Sequence, residues 1–81
     1  VDVSGFDTSN VTSMAYMFNG CYKLSSVDLS GFDTSNVTYM AYMFNRSENL
    51  IEIIVGLGWD TSNANTSYMF SNCGTDHVTV K

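Results

Sequence analysis

The chain has 81 residues, of which eight are acidic and three are basic, giving a formal net charge of −5. Its three cations, Lys23, Arg46 and Lys81, are spread along the chain, which excludes the basic surface that nucleic acid or an anionic membrane requires. The longest strongly apolar run, residues 53–55, is far below the ~20 residues that span a bilayer, so we expect no membrane insertion. A hydrophobic content of 44% argues against disorder.

A repeat of 26 residues dominates the chain and determines the predicted fold. Residues 3–12 recur at 29–38 with one substitution, and residues 15–19 recur unchanged at 41–45. A weaker third copy runs from Trp59 to Phe70. We therefore predict a single repeat domain over residues 1–81, taken from a longer array, with repeats at about 1–26, 27–52 and 53–81.

Each repeat is predicted to contain a short strand. Apolar and polar residues alternate at the end of segment 24–29 and, one repeat later, of segment 50–55, which is typical of a half-buried strand. Both segments fit the core pattern of a leucine-rich repeat. Val1 and Val3 are the remainder of a preceding strand. Val78 and Val80 begin a fourth, with one residue fewer than the strict period.

The second half of each repeat is predicted to be a short helix. At about 100° per residue, its apolar side chains fall on one stripe, with Tyr16 on the opposite side. The segment Asp7–Asn10 just before it offers N-cap side chains. The sequence thus predicts an α/β repeat, a right-handed leucine-rich-repeat-like solenoid of three ~26-residue repeats, each with one strand and one helix. The stripe comprises Val11, Met14, Met17, Phe18 and Cys21.

The repeat string L-D-L-S-x-F-D-T-S-N-V-T-x-M-x-x-M-F-x-x-C resembles that of the BspA-like leucine-rich-repeat surface proteins of bacteria. The likeness runs from residue 1 to about 73, and the third repeat departs from it at residues 53–59 and 64–66. The resemblance implies an extracellular, surface-attached binding protein whose anchor lies outside this segment. It implies no catalytic residues.

The polar positions on the strand side are the first candidate binding surface. In leucine-rich repeats this side forms the concave binding face. Here it is small, acidic and rich in hydroxyls, which suits a basic or hydrogen-bonding partner. The equally weighted alternative is a solvated sheet face without a partner. The predicted residues are Asp2, Ser4, Ser26, Asp28, Ser30, Glu52 and Ile54.

Three tyrosines at strict 26-residue spacing, Tyr16, Tyr42 and Tyr68, are the second candidate. Rows of exposed aromatic rings can stack on sugars or anchor a protein partner. The competing interpretation is that each ring only covers its neighbour, and exposed aromatics of this kind are common in repeat proteins.

Other reactive side chains give weaker signals. Asp7, Asp33 and Asp60 share one repeat position, where helix capping is a better explanation than a calcium site. His77 beside Asp76 has no matched nucleophile and is predicted to be a surface residue. The two cysteines lie two repeats apart, nearly 10 Å at about 4.8 Å per repeat, so we predict free thiols.

The expected function is protein recognition or adhesion at a bacterial cell surface, without enzymatic activity, metal or other cofactor. The partner would be a protein or a host-surface ligand, and the open repeat ends favour end-to-end self-association. Two alternatives remain. One is a carbohydrate-binding module that uses the three tyrosines, and the other is a passive structural stalk.

Overall fold

The computed structural model describes residues 7–81, which form one parallel β-sheet. Its strands are β1 (Ser26–Leu29), β2 (Glu52–Val55) and β3 (Thr79–Val80), in that order across the sheet. Equal positions of successive repeats therefore lie side by side, as the period of the sequence predicts.

The strand register follows the spacing of the repeats. Val27 lies opposite Ile53, an offset of 26 residues, whereas Val55 lies opposite Val80, an offset of 25. The missing residue is the one that the position of Val78 and Val80 indicates in the sequence. Two isolated parallel bridges, Ser13 to Tyr39 and Tyr39 to Asn65, continue the same offset outside the sheet.

The predicted helices are absent. Residues 7–81 contain no helix, so the leucine-rich-repeat-like solenoid of strand-and-helix repeats is wrong, and no helix in this part of the chain could cross a membrane. The segments predicted to be helical are runs of consecutive turns. Two positions in each repeat have a positive φ, which a right-handed helix does not allow. They are Tyr16, Tyr42 and Tyr68 at 57–63°, and Gly20, Arg46 and Asn72 at 58–73°.

Each positive φ lies at the third residue of a hydrogen-bonded turn. The Met17 N–H donates to the Met14 carbonyl at 3.2 Å, with Tyr16 between them at φ 63°. A second turn in the same repeat has Gly20 at its third position. These are type II turns, in which the third residue favours glycine or asparagine. The tyrosines therefore adopt a conformation that their own backbone disfavours.

Amides that alternate with these turn bonds donate to the next repeat. The Met14 N–H donates to the Tyr39 carbonyl at 2.8 Å, and the Phe18 N–H donates to the Met43 carbonyl at 2.7 Å. In an α-helix the same N–H groups would bond within their own segment, to the residue four positions earlier. The segment is not helical because its amides find partners in the neighbouring repeat.

The buried residues are nonetheless those that the apolar pattern selects. The ring of Phe44, which is fully buried, lies between Phe18 at 5.5 Å and Phe70 at 5.6 Å. The partly buried Val11, Met17 and Cys21 pack against this cluster. The other buried members are Met14, Val27, Leu29, Phe32, Val37, Met40, Met43, Leu50, Ile53, Val55 and Met69.

Glycines explain how the irregular third repeat still packs against the second. A β-carbon on Gly58 would lie 2.7 Å from the Phe32 carbonyl oxygen, and one on Gly74 would lie 2.6 Å from that of Leu50. Any larger residue would push the third repeat away. The departure of this repeat from the common string thus follows from close backbone approach.

Candidate binding surfaces

Three aromatic side chains, Tyr16, Tyr42 and Tyr68, form a continuous surface that we call the tyrosine row. The rings of Tyr16 and Tyr42 are 5.0 Å apart and 3° from parallel, and those of Tyr42 and Tyr68 are 5.2 Å apart at 18°. Tyr16 and Tyr68 are 55% and 64% exposed, and Tyr42 is half-buried between them. The residues that the 26-residue spacing aligns do lie in one row.

Stacking determines which part of the tyrosine row a ligand can reach. Both faces of Tyr42 are covered, as is one face each of Tyr16 and Tyr68. A sugar that stacks on an aromatic ring needs an exposed face, and the row offers one only at each end. Along its length the row presents ring edges and hydroxyls, which can contact hydrogen-bonding and apolar groups of a protein.

The tyrosine row is held in a strained backbone conformation. A left-handed φ costs about 1–2 kcal/mol for a residue with a side chain, while each stacked pair contributes about 0.5–1.5 kcal/mol. Glycine or asparagine would hold the same turns more easily. Strained residues are concentrated at functional sites, so tyrosine at all three positions marks the row as a candidate site.

The outward side chains of the sheet form the second surface, the strand face, which comprises Ser26, Asp28, Ser30, Glu52 and Ile54. Ser26, Asp28 and Glu52 are exposed, and Ser30 and Ile54 are half-buried. The parallel register places Ser26 opposite Glu52 and Asp28 opposite Ile54. The structure thus brings five of the predicted residues together. Asp2 and Ser4, predicted for the same face, lie outside the described residues.

The strand face carries negative charge at neutral pH. Hydrogen bonds from the Ser30 side chain and main chain lower the pKa of Asp28, and the charge of Lys81 acts in the same direction. The main-chain bond, from the Ser30 N–H to Asp28 Oδ1, is 2.9 Å long. With the exposed Glu52 beside it in the sheet, this carboxylate would attract a basic partner.

The repeated aspartates cap turns, so the predicted helix capping is corrected. In each case Oδ1 accepts a hydrogen bond of 2.9–3.0 Å from the N–H of a serine two residues later, which is the geometry of an Asx turn. Hydrogen bonds from these serines lower the pKa of all three carboxyls. No group of three or more His, Cys, Asp or Glu side chains within residues 7–81 is placed to hold a metal ion. The aspartates are Asp7, Asp33 and Asp60.

Three buried hydroxyls link adjacent repeats, and the sequence reasoning missed them. Thr34 Oγ1 donates to the Asp60 carbonyl at 2.9 Å and accepts from the Asp60 N–H at 2.6 Å. Thr8 bonds Asp33 in the same way, at 3.1 and 2.8 Å. Ser47 joins the first two repeats with a similar pair of bonds. The available signal was the threonine that follows aspartate in the repeat.

The remaining reactive side chains do not form an enclosed site. His77 Nδ1 lies 2.9 Å from Asp76 Oδ1, and their side chains are 73% and 93% exposed. A hydrogen bond from His77 and its charge lower the pKa of Asp76. Cys21 and Cys73 are free and half-buried. The structure thus places the histidine at the surface and the two thiols against the core.

A family model described as a Mycoplasma protein of unknown function, DUF285, matches residues 1–79. The chain belongs to this family. The DUF285 match includes all three repeats, and with them the tyrosine row and the strand face. Comparisons with curated proteins and with solved structures gave no match.

Proposed function

We propose that the chain is a non-catalytic binding module that recognises a protein partner at the outer surface of a bacterial cell. The tyrosine row is its main contact and carries the proposal, because three exposed residues are held there in a conformation that favours glycine. Support for the location comes from the likeness of the repeat to BspA-like surface proteins.

The tyrosine row is suited to protein recognition because it is rigid before a partner arrives. The Tyr16 and Tyr42 N–H groups donate to the next repeat at 3.2 and 3.0 Å, and the rings stack above these bonds. Ordering a mobile side chain at an interface costs about 0.5–1.5 kcal/mol. A row that is already ordered avoids much of this cost, and tyrosine is enriched among the residues that contribute most to binding.

The strand face adds charge to the proposed interaction. Asp28 and Glu52 lie on neighbouring strands and are both exposed, and the chain as a whole carries a net charge of −5. Complementary charge accelerates association and selects partners more than it increases affinity. We therefore expect a basic partner whose binding weakens at high salt.

Two competing functions make different use of the tyrosine row. A carbohydrate-binding module needs ring faces, and the stacking leaves two of them free, one at each end of the row. A passive stalk needs no exposed aromatic side chain and would be served by asparagine or glycine in the same turns. Protein recognition is the function that uses the edges and hydroxyls that the row presents.

The test is binding of the 81-residue chain to immobilised extracellular-matrix proteins and, in parallel, to a glycan array. A triple variant, Tyr16→Asn with Tyr42→Asn and Tyr68→Asn, removes the row but suits the left-handed backbone. Tyr22→Asn is the control, since Tyr22 is 59% exposed and lies outside the row. Circular dichroism before and after heating shows whether each variant is folded.

We expect the triple variant to bind at least one matrix protein tenfold or more weakly than the parent chain, and the control to bind normally. Equal loss in both variants, or no binding to any matrix protein, would count against protein recognition through the row. Binding to glycans alone, lost in the triple variant, would establish the carbohydrate alternative instead.

A further inference from the structure

One end of the repeat stack carries a row of main-chain donors without partners. In the first two repeats, four alternate N–H groups donate to the following repeat at 2.7–3.2 Å. Their equivalents in the third repeat donate to no group within residues 7–81. This donor row consists of the N–H groups of Thr66, Tyr68, Phe70 and Asn72.

The opposite end carries the matching acceptors. The carbonyls of Tyr39, Ala41, Met43 and Asn45 accept the four bonds from the first repeat. Their equivalents in the first repeat accept no hydrogen bond within residues 7–81. This acceptor row consists of the carbonyls of Ser13, Ala15, Met17 and Asn19.

We propose that the donor row of one molecule binds the acceptor row of a second copy of the chain. The pairing follows the register inside the molecule, in which Met40 donates to Asn65 and Tyr42 to Ser67. One repeat further, the partners are Thr66 with Ser13, Tyr68 with Ala15, Phe70 with Met17, and Asn72 with Asn19 of the second copy. This association concerns the ends of the stack and does not depend on the partner proposed for the tyrosine row.

Side chains at the two ends are complementary as well. A hollow of about 570 Å³ lies beside Tyr68 and Phe70, and one of about 580 Å³ lies beside Met14 and Met17 at the other end. Tyr68 of one copy would stack on Tyr16 of the next, at the 5.0–5.2 Å spacing seen inside each molecule. The joint would therefore continue the tyrosine row from copy to copy.

The strand side limits the affinity. In the sequence, residues 1–3 and 78–80 hold the same repeat position, so a joint brings two such segments to one level, where the sheet has room for one. β3 has two residues, both exposed, and is inexpensive to displace. We expect dissociation constants around 1 mM, equivalent to about 4 kcal/mol.

The joint is heterologous, so it leaves a free donor row and a free acceptor row on every product. Such contacts produce open chains of molecules unless the rotation between copies closes a ring. The average mass measured by light scattering should therefore rise continuously as the concentration increases to about 1 mM, with no plateau at a dimer. Amide NMR signals of the donor row should shift over the same range, while those of buried Met40 and Phe44 should not.

Thr66→Pro tests the geometry of the joint. Proline removes the N–H and places a ring carbon where the partner's carbonyl would approach, whereas the Thr66 carbonyl that closes the turn with Met69 is kept. Ser67→Pro is the control. Residue 67 is the second residue of a type II turn, which favours proline, and its N–H bonds the side chain of Asn65 instead of the next repeat.

We expect Thr66→Pro to weaken association at least tenfold and Ser67→Pro to leave it unchanged. A parent chain that stays monomeric at about 1 mM would overturn the proposal. Association without shifts in the four donor-row amides would place the contact on another surface and would overturn it too. The shift experiment uses the parent chain, so it remains decisive if either proline variant fails to fold.

Discussion

At the scale of single residues, buried hydroxyls hold one repeat against the next. Thr34 is 1% exposed, and its Oγ1 both donates to and accepts from the main chain of Asp60. Valine has nearly the same shape as threonine but cannot make either bond. Both main-chain groups of Asp60 would lose this partner, and one that stays buried and unpaired costs about 1–3 kcal/mol.

We therefore predict that Thr34→Val lowers the free energy of unfolding by about 1–3 kcal/mol, measured by urea titration followed by circular dichroism. Thr38→Val is the matched control, because Thr38 is exposed and makes one longer bond, 3.3 Å, to the Thr12 carbonyl. Its effect should stay within about 0.5 kcal/mol. Equal losses in the two variants would mean that the buried pair contributes no more than a surface hydroxyl.

At the scale of elements, positive-φ residues decide that the segment after each strand is a series of turns. Arg46 shows the cost, since it has φ 64° at the position that Gly20 and Asn72 occupy in the other repeats. Relief of a left-handed backbone is worth about 1–2 kcal/mol, and the added freedom of unfolded glycine takes back about 0.5–1 kcal/mol.

Arg46→Gly is predicted to raise the free energy of unfolding by about 0.5–1 kcal/mol, again from urea titration. Glu48→Gly provides the comparison. Glu48 is also exposed and charged but is not among the residues with positive φ, so glycine there should destabilise by up to about 1 kcal/mol. If both variants shift stability in the same direction, the strain assigned to Arg46 is not real.

The same elements show why sequence reasoning chose the wrong structure. Apolar residues at Met14, Phe18 and Cys21 have helical spacing, yet consecutive four-residue turns bury side chains at similar intervals. The signal against a helix was the Gly20, Arg46 and Asn72 position, where glycine alternates with polar residues. That signal is weak, because the same residues are also common at the end of a helix.

At the scale of the whole molecule, the repeated carboxylates make stability depend on pH. Hydrogen bonds from serines lower the pKa of Asp7, Asp33 and Asp60 from the ordinary value of 3.8. For Asp33 this exceeds the opposing influence of the Asp7 charge. A lowered folded-state pKa contributes stability that is fully present above the unfolded value and is lost as the pH falls through the folded value.

We predict that the melting temperature changes little from neutral pH down to about 5 and falls as the pH drops below about 4, as measured by circular dichroism. A triple variant with Asp7→Asn, Asp33→Asn and Asp60→Asn keeps side chains that can accept the turn bonds but do not titrate. Its melting temperature should fall less over the same range. A rise in stability below pH 4 in the parent chain would show that repulsion among the stacked carboxylates dominates.

The sequence by itself determined which residues lie beside one another. Parallel repeats place equal positions together, so the 26-residue period was sufficient to align Tyr16 with Tyr42 and Phe18 with Phe44. The alternation of apolar residues was likewise sufficient to identify the buried side of β1 and β2. Both inferences rest on periodicity, which does not require knowledge of the backbone between the strands.

Only the tertiary structure decided the backbone of the turn segments, and with it the strained tyrosine row and the open rows at the two ends. The amides of Met14, Tyr16 and Phe18 bond to carbonyls 25 residues later in the chain. A helix would satisfy the same amides locally. The choice depends on whether a neighbouring repeat is in place to accept them, and this non-local condition cannot be read from the residues of one segment.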